Sequence, residues 1–151
     1  MYSKILVPVD GSEASNLGLA EAIKLAKNQG AALRLVHIVN ELIMTSPNMG
    51  FGAGHVIDGL LEGGKTILKD AQESVRAAGV AVDTVFEQSI GGQAGAHIVP
   101  QAKAWPADLI VMGTHGRRGI RRIVMGSDAE YVLRHSPVPV LLVRGKEAPN
   151  E

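Results

Sequence analysis

The sequence predicts a single doubly wound α/β domain, with a parallel sheet and helices on both faces. Short apolar runs recur five times along the 151 residues, stretches with helical spacing separate them, and 46% of the residues are apolar. Runs this short that are apolar throughout are typical of strands buried on both faces. Because strand and helix alternate, the strands are expected to be parallel and joined by right-handed crossovers.

Each expected element follows from its own pattern. The strand runs are Ile5–Val9, Leu33–Val39, Val80–Phe86, Leu109–Met112 and Val138–Val143. Repeats every three or four residues predict the first two helices, through Leu17, Ala20, Ile23 and Ala26, and through Leu60, Gly64, Ile67, Leu68, Ala71, Val75 and Ala78. Their expected stops are Gly30 and Gly79. The other helices are expected at Gln93–Ala104 and Ser127–Arg134, and a mobile loop at Asn40–Gly54.

Composition and charge exclude several classes of protein. Fifteen basic residues balance fifteen acidic ones, so the whole chain has no general attraction for nucleic acid or an anionic membrane. The absence of cysteine excludes disulfides, thiol chemistry and cysteine-ligated metals. The apolar stretch near the N-terminus is too short for a signal peptide or a membrane span, which predicts a cytoplasmic location.

A glycine-rich segment after the fourth strand predicts a phosphate site. Ligands of open parallel sheets bind beyond the carboxyl ends of the strands. There the chain has Gly113, Gly116 and Gly126, followed by Ser127 at the start of a predicted helix. Glycine lets backbone N–H groups approach a phosphate, and a helix N-terminus adds free amides and a positive dipole end.

Positive charge is concentrated in the same segment. No acidic residue lies between Asp108 and Asp128, and four arginines do: Arg117, Arg118, Arg121 and Arg122. A run of charges alone is more often a solvated face. Combined with the glycines, it favours a local anion site.

The spacing Gly-x2-Gly-x9-Gly-Ser resembles the ATP-binding signature of the universal stress protein family. The resemblance extends to the opening KILVPVDGSE, to Leu35–Ile38, to Ala107–Gly116 and to the closing segment Ser136–Arg144. It implies a five-stranded sheet in the order 3-2-1-4-5. It also implies a nucleotide-binding domain over residues 1–146, with 147–151 as a short tail.

Residue by residue, the resemblance implies an ATP site. Asp10 would bind the ribose, Pro8 would shape the nucleoside pocket, and backbone groups of Ile38 would meet the adenine. Met112 and Gly113 would line the cleft. The phosphate contacts would come from Gly116, Gly126, Ser127 and the amide of Asp128. His115 and Arg117 in the same segment are further candidates, with a loop residue of no special role as the alternative for His115. In the family the residue after Gly-Ser is often apolar, and a carboxylate at Asp128 would repel a triphosphate if it turned inward.

Other interpretations of the same residues stay open. Asp10 could cap the first helix with Glu13 as its partner, and Ser127 with Glu130 matches a capping box. His37 lies within an apolar strand, which favours a hydrogen-bonded core histidine. The segment Gly59–Thr66 matches the Walker A pattern, but bulky leucines, Glu62 and the lack of a preceding strand argue against a phosphate loop.

The leading functional hypothesis is a stress-response regulator that binds ATP with Mg²⁺ and acts as a homodimer. The dimer is expected to form through Val138–Val143, because an apolar edge strand otherwise stays exposed. No nucleic acid or membrane partner is expected. The alternatives are a slow ATPase or nucleotidyl transferase of related fold, and a structural dimer with a vestigial site.

Overall fold

A five-stranded parallel sheet forms the centre of the protein. The computed structural model describes residues 1–40, 53–115 and 125–145. The strands are β1 (Lys4–Pro8), β2 (Ala32–Asn40), β3 (Val82–Ser89), β4 (Leu109–Gly113) and β5 (Val140–Val143). They lie in the order β3-β2-β1-β4-β5, and every pairing is parallel. The predicted fold class, strand number and strand order are confirmed.

Helices cover both faces of the sheet, as a doubly wound fold requires. They are α1 (Glu13–Gln29), α2 (Ala53–Ala77), α3 (Gly95–Ala104) and α4 (Ser127–His135). Alternate residues of β1 point to opposite faces: Ile5 and Val7 pack with α1 and α2, whereas Leu6 packs with α3 and α4. None of the described helices combines the length and apolar character needed to cross a bilayer.

The two ends of α1 differ in how well the sequence predicted them. Gly30 ends the helix in the left-handed conformation at φ 69°, as expected, and its N–H donates to the carbonyl of Ala26. At the other end Ser12 is the N-cap, and its Oγ accepts from the N–H of Ser15 at 3.2 Å. Asp10 is therefore not the cap of α1.

Two strands begin later than their apolar runs. Val80 belongs to the turn after Gly79, and the run Val80–Phe86 becomes a strand only at Val82. Beyond Phe86, the strand continues through polar residues that pair with β2 as far as Asn40. At the last strand, the hydroxyl of Ser136 donates to the carbonyl of Val138 in a turn, which shortens Val138–Val143 to Val140–Val143.

The Walker-like segment is helical throughout, because it lies inside α2. Gly64 is buried there, and a Cβ at this position would lie 2.7 Å from the ring of His37 and 2.8 Å from that of Phe86. His37 is itself a core histidine, as expected, with its Nδ1 donating to the carbonyl of Val9 at 2.7 Å. Gly64 thus serves helix-to-sheet packing. Leu60, predicted on the same buried face, is exposed.

Asp108 joins the starts of β1 and β4. Its carboxylate accepts hydrogen bonds from the N–H and hydroxyl of Ser3, at 2.8 and 2.9 Å, and from the N–H of Lys4 at 3.1 Å. Burial disfavours the charged carboxylate, but these hydrogen bonds outweigh it and the pKa of Asp108 lies below its usual value.

Adding a methyl group at Gly64 should destabilise the protein. We expect Gly64→Ala to lower the free energy of unfolding by about 1–3 kcal/mol, because the new Cβ forces the rings of His37 and Phe86 to move. The control is Gly63→Ala, where nothing lies within 4 Å and alanine favours the helix by up to about 1 kcal/mol. Urea denaturation measures both. Equal midpoints for the two variants would contradict the packing role of Gly64.

Asp108 should contribute a pH-dependent part of the stability. A carboxylate whose pKa is lowered on folding stabilises the protein above its unfolded-state pKa of about 3.9, and this stabilisation is lost as the pH falls through the folded-state value. We therefore expect Asp108→Asn to cost about 1.5 kcal/mol at pH 7, the low end for bonds to a charged group, because Ser3 is exposed.

The pH dependence distinguishes this effect from a loss of packing. In urea unfolding from pH 7 to pH 2, the difference between Asp108→Asn and the unsubstituted protein should begin to shrink below about pH 4. Glu73→Gln, which changes an exposed carboxyl of α2, is the matched control. A difference that stays constant down to pH 2 would refute the charge contribution.

Candidate functional site

The carboxyl ends of β1 and β4 meet at the edge of the sheet where the helices change faces. The two strands are neighbours, with Ile5 beside Leu109 and Leu6 beside Ile110. After β1 the chain forms α1 on one face, and after β4 it forms α4 on the other. A crevice at such a switch point is where open α/β sheets bind ligands. Asp10 and Gly113 lie at this edge together, as expected.

Three apolar residues lie at this edge of the sheet, on the side that α3 and α4 cover. Pro8, at the end of β1, pairs with Val36, and Ile38 lies two residues further along β2. Met112 of β4 is buried, and Ile38 is half-buried in the same hydrophobic cluster. The fold thus brings these three predicted residues to one edge of the central strands.

Asp10 occupies a tight turn between β1 and α1. Its Oδ1 accepts from the N–H of Ser12 at 2.8 Å, and its own N–H donates to the Oγ of Ser15 at 3.1 Å. Gly11 adopts φ 81°, a conformation that favours glycine. The turn therefore holds the backbone on both sides of Asp10 and keeps the half-buried carboxylate at the carboxyl edge.

Gly113 has a packing role that its place in the motif did not reveal. A Cβ on Gly113 would lie 2.7 to 2.9 Å from atoms of Ala14 in the first turn of α1. From the helix side, a Cβ on Gly18 would lie 3.2 Å from the backbone nitrogen of Gly113. The two glycines let α1 lie directly against β4.

The first turn of α4 has no capping side chain of its own. Its N-cap is Gly126, whose N–H donates to the carbonyl of Thr114 at 2.6 Å and whose carbonyl accepts from Glu130. Ser127 is consequently the first helical residue, so the expected Ser127–Glu130 capping box is wrong. Glu130 instead pairs with Arg134 at 2.7 Å. Unlike an N-cap with a polar side chain, this glycine leaves the amides of the first turn to other partners.

Asp128 binds a neighbouring helix. Its Oδ1 accepts from the N–H of Gly95, the first residue of α3, at 3.1 Å. A Cβ on Gly95 would lie 2.9 Å from the side chain of Tyr131, so the two helices are in close contact there. The carboxylate of Asp128 is thus engaged with α3.

Part of the predicted site lies beyond the described residues. Gly116 and Arg117 belong to 116–124, as do the other arginines of the basic segment. The loop expected at Asn40–Gly54 falls mainly on 41–52, and the proposed tail on 146–151, which are also outside the described ranges. His115 is half-buried at the end of the described segment. In the described ranges, no cluster of histidine, aspartate and glutamate is arranged to hold a metal ion.

Thr114 was missed by the sequence interpretation. Its Oγ1 is inaccessible to solvent and is the buried side-chain atom that lacks a hydrogen-bonding partner within the described part of the chain. The sequence did offer a reason to consider Thr114, because it places a hydroxyl residue directly after Gly113, the last residue of β4.

A second polar cluster lies at the carboxyl end of β3. His97 contacts the Oγ of Ser89 at 2.8 Å and Oε1 of Glu87 at 3.2 Å, an order of residues that resembles a hydrolase triad. The hydroxyl of Ser89, however, donates its one proton to the carbonyl of Gly91 at 2.6 Å, and the residue is 1% exposed. The cluster closes the β3–α3 turn and does not present a nucleophile.

The chain is similar to known proteins over nearly its whole length. The model of the universal stress protein family matches residues 1–144. A universal stress protein of Methanocaldococcus jannaschii is 36% identical over 148 residues, which cover 95% of this chain and 83% of that protein.

Solved structures agree with the sequence relatives. The universal stress protein UspA of Lactobacillus plantarum matches with a TM-score of 0.81 at 28% identity, covering 95% of this chain and 98% of its own. A universal stress protein in complex with cAMP matches with a TM-score of 0.66 at 26% identity, covering 96% of this chain and 98% of that chain. Together with the strand order and the glycine spacing, these matches establish that the chain belongs to the universal stress protein family.

Proposed function

We propose that this protein is a regulatory module that binds ATP at the carboxyl edge of β1 and β4. The observation that carries the proposal is the first turn of α4, whose N-cap is a glycine and which begins beside the end of β4, one strand away from Asp10. Amides at a helix N-terminus favour an anion such as a phosphate.

The geometry supports one orientation of the nucleotide. The phosphates bind at Gly126, Ser127 and the amide of Asp128. His115 contributes from the end of the described segment, and the glycine spacing adds Gly116 and Arg117 to the proposed contacts. Asp10 binds the ribose from the β1 side. The base lies towards β2, where Pro8, Ile38 and Met112 supply apolar surface. Gly113 lies at the end of β4, where it packs against Ala14 of α1.

Two observations support a nucleotide as the ligand, and the second of them favours ATP in particular. The related structure in complex with cAMP matches this chain at 26% identity, which supports an adenine nucleotide. The glycine spacing of residues 113–127 resembles the ATP-binding signature of the family. Mg²⁺ is proposed to enter with the triphosphate, since this ion is commonly held by substrate phosphates.

The same site favours occupancy over turnover. Efficient phosphoryl transfer requires metal clamps and a group that positions the attacking nucleophile. Asp128 is the acidic residue nearest the phosphate amides in sequence, and its carboxylate is bound to the N–H of Gly95 instead of serving as a metal clamp. We infer that the site holds the nucleotide and signals through its occupancy. A slow ATPase or nucleotidyl transferase and a vestigial site are the alternatives, and the proposed location is the cytoplasm.

The two edges of the sheet support a homodimer through β5. The β3 edge carries charged residues, including Asp83 and Glu87, whereas Val140–Val143 is entirely apolar. Leu141 is 39% exposed, and Leu133 of the neighbouring α4 is 50% exposed. An apolar edge strand beside exposed leucines suits pairing with a second copy.

ATP binding should depend on Gly126 and not on Lys65. A side chain at Gly126 blocks the approach to the first-turn amides, so we expect Gly126→Val to weaken ATP binding by more than about tenfold. Lys65→Ala, which alters an exposed residue of α2, should change the affinity by less than about threefold. Isothermal titration calorimetry measures both. Loss of binding in Lys65→Ala alone would mean that the wrong segment has been chosen.

Hydrolysis should be slow. With protein in excess over ATP, we expect a single-turnover rate below about 1 s⁻¹, the low end for ordinary enzymes. Quenched-flow analysis of ADP formation measures it. A faster rate would replace the regulatory proposal with a catalytic one.

The dimer should depend on the β5 edge. At about 50 μM the protein should scatter light as a dimer, because a standard interface is stable well below that concentration. Leu141→Arg should shift it to monomer, whereas Thr84→Arg, an exposed position of the opposite edge strand, should not. A dimer that survives Leu141→Arg and is lost in Thr84→Arg would place the interface on β3.

A further inference from the structure

The turn between β3 and α3 is closed by the side chain of Ser89. Its hydroxyl donates to the carbonyl of Gly91 at 2.6 Å and accepts from the N–H of Gly91 at 3.2 Å. From the end of β2, the side-chain amide of Asn40 donates to the carbonyl of Gly92 at 3.0 Å. The turn directs Ile90 outward, where the residue is 81% exposed, whereas Ser89 is buried. The serine hydroxyl therefore fixes this turn from inside.

The same hydroxyl faces the ring of His97. Nε2 of His97 lies 2.8 Å from Oγ of Ser89. A hydroxyl has one proton to donate, and this one is directed at the carbonyl of Gly91. The contact with the ring is a hydrogen bond only if Nε2 carries a proton, since two lone pairs would otherwise face each other. The geometry of the turn thus requires a proton on Nε2.

The other ring nitrogen of His97 faces a carboxylate. Nδ1 lies 3.2 Å from Oε1 of Glu87, whose Oε2 accepts from the side-chain amide of Gln101 at 3.2 Å. The contact between Nδ1 and Oε1 also needs a proton, which either atom can carry. The pair of His97 and Glu87 therefore holds two protons, one more than a neutral histidine beside an ionised glutamate. This count belongs to the pair and does not depend on which atom carries the second proton.

The other groups around this pair are bound to partners of their own or do not titrate. Helix α4 packs against α3 at Gly95, where Asp128 accepts from the N–H of Gly95 and Tyr131 is stacked on a histidine of its own helix. Strand β2 places Ile38 and Asn40 beside this part of β3, and neither side chain titrates. The two side chains of the pair are 28% and 32% exposed, which lets them exchange protons with water.

We propose that the β3–α3 turn is a pH-dependent switch, which is closed while the pair of His97 and Glu87 holds the extra proton and opens when the pair loses it. Loss of that proton leaves a neutral ring with its proton on Nδ1, directed at the carboxylate. Nε2 then becomes an acceptor, and the hydroxyl of Ser89 rotates from the carbonyl of Gly91 to the ring. The carbonyl loses its donor and lies too close to the serine oxygen, so the turn opens.

Proton linkage gives the direction of the switch. A closed turn that binds one proton more than the open turn is favoured at low pH and is lost progressively as the pH rises. Histidine is the side chain whose charge ordinarily changes between about pH 5 and about pH 8. Opening releases Ile90 and the backbone at the carboxyl end of β3. This inference does not depend on the nucleotide binding proposed above.

Hydrogen exchange at the amide of Gly91, followed by NMR, tests the switch. Protection is measured relative to an unstructured peptide at the same pH, which removes the intrinsic effect of pH. We expect it to fall at least about tenfold between about pH 5.5 and about pH 8, as for the loss of one hydrogen bond. In His97→Gln, which does not titrate, it should change by less than about threefold. The control is His135→Gln, an exposed histidine whose Nδ1 donates within α4, and it should retain the fall.

Two further measurements examine the pair itself. The nitrogen chemical shifts of the His97 ring should show protons on both nitrogens at about pH 5.5 and on Nδ1 alone at about pH 8. Glu87→Gln keeps the shape of the side chain and removes its charge. The loss of protection should therefore begin at a lower pH in Glu87→Gln than in the unsubstituted protein, which tests the pair even if His97→Gln does not fold.

Four results would overturn the inference. Equal protection of Gly91 at the two pH values would show that the turn does not respond to protons. A fall that persists in His97→Gln, or an unchanged response in Glu87→Gln, would assign the response to another group. A proton on Nε2 at about pH 8 would mean that the hydroxyl of Ser89 does not rotate.

Discussion

The close approach of α1 to β4 is the constraint on which the rest of the structure depends. Gly113 and Gly18 lack the atoms that would separate the helix from the strand, so Ala14 lies against the backbone of β4. Because α1 starts directly after β1, this contact holds the turn at Asp10 beside the end of β4. The packing of glycine against backbone therefore fixes the relative positions of these two strand ends, before any ligand is considered.

The alternation of apolar runs was sufficient to predict the sheet, because strands buried on both faces must be apolar throughout. The positions of the ends were harder to predict. Polar residues extend β3 past Phe86, since they pair with a neighbouring strand at an edge that tolerates them. The turn at Ser136 shortens the last strand. Such boundaries depend on partners that lie far away in the chain.

The site was predicted in part, and the limit has a physical cause. A motif predicts which residues approach a ligand, and the structure places Ile38, Met112 and the turn at Asp10 at the carboxyl edge of the sheet. A motif does not identify which side chain already has a partner. Asp128 is bound to Gly95, and the buried hydroxyl of Thr114 has no partner among the residues that the structure describes. Both facts arise from contacts between separate elements, which spacing along the chain does not contain.

The bond from Asp128 to Gly95 joins the starts of two helices that are 33 residues apart in sequence. The N-cap of α3 supplies no side-chain hydrogen bond of its own, so the first amide of α3 depends on a carboxylate from α4. Unwinding the first turn of α4 therefore removes a stabilising contact from α3. The two helices should open to hydrogen exchange as one cooperative unit. The amide of Gly95 in α3 should then exchange faster whenever the first turn of α4 unwinds.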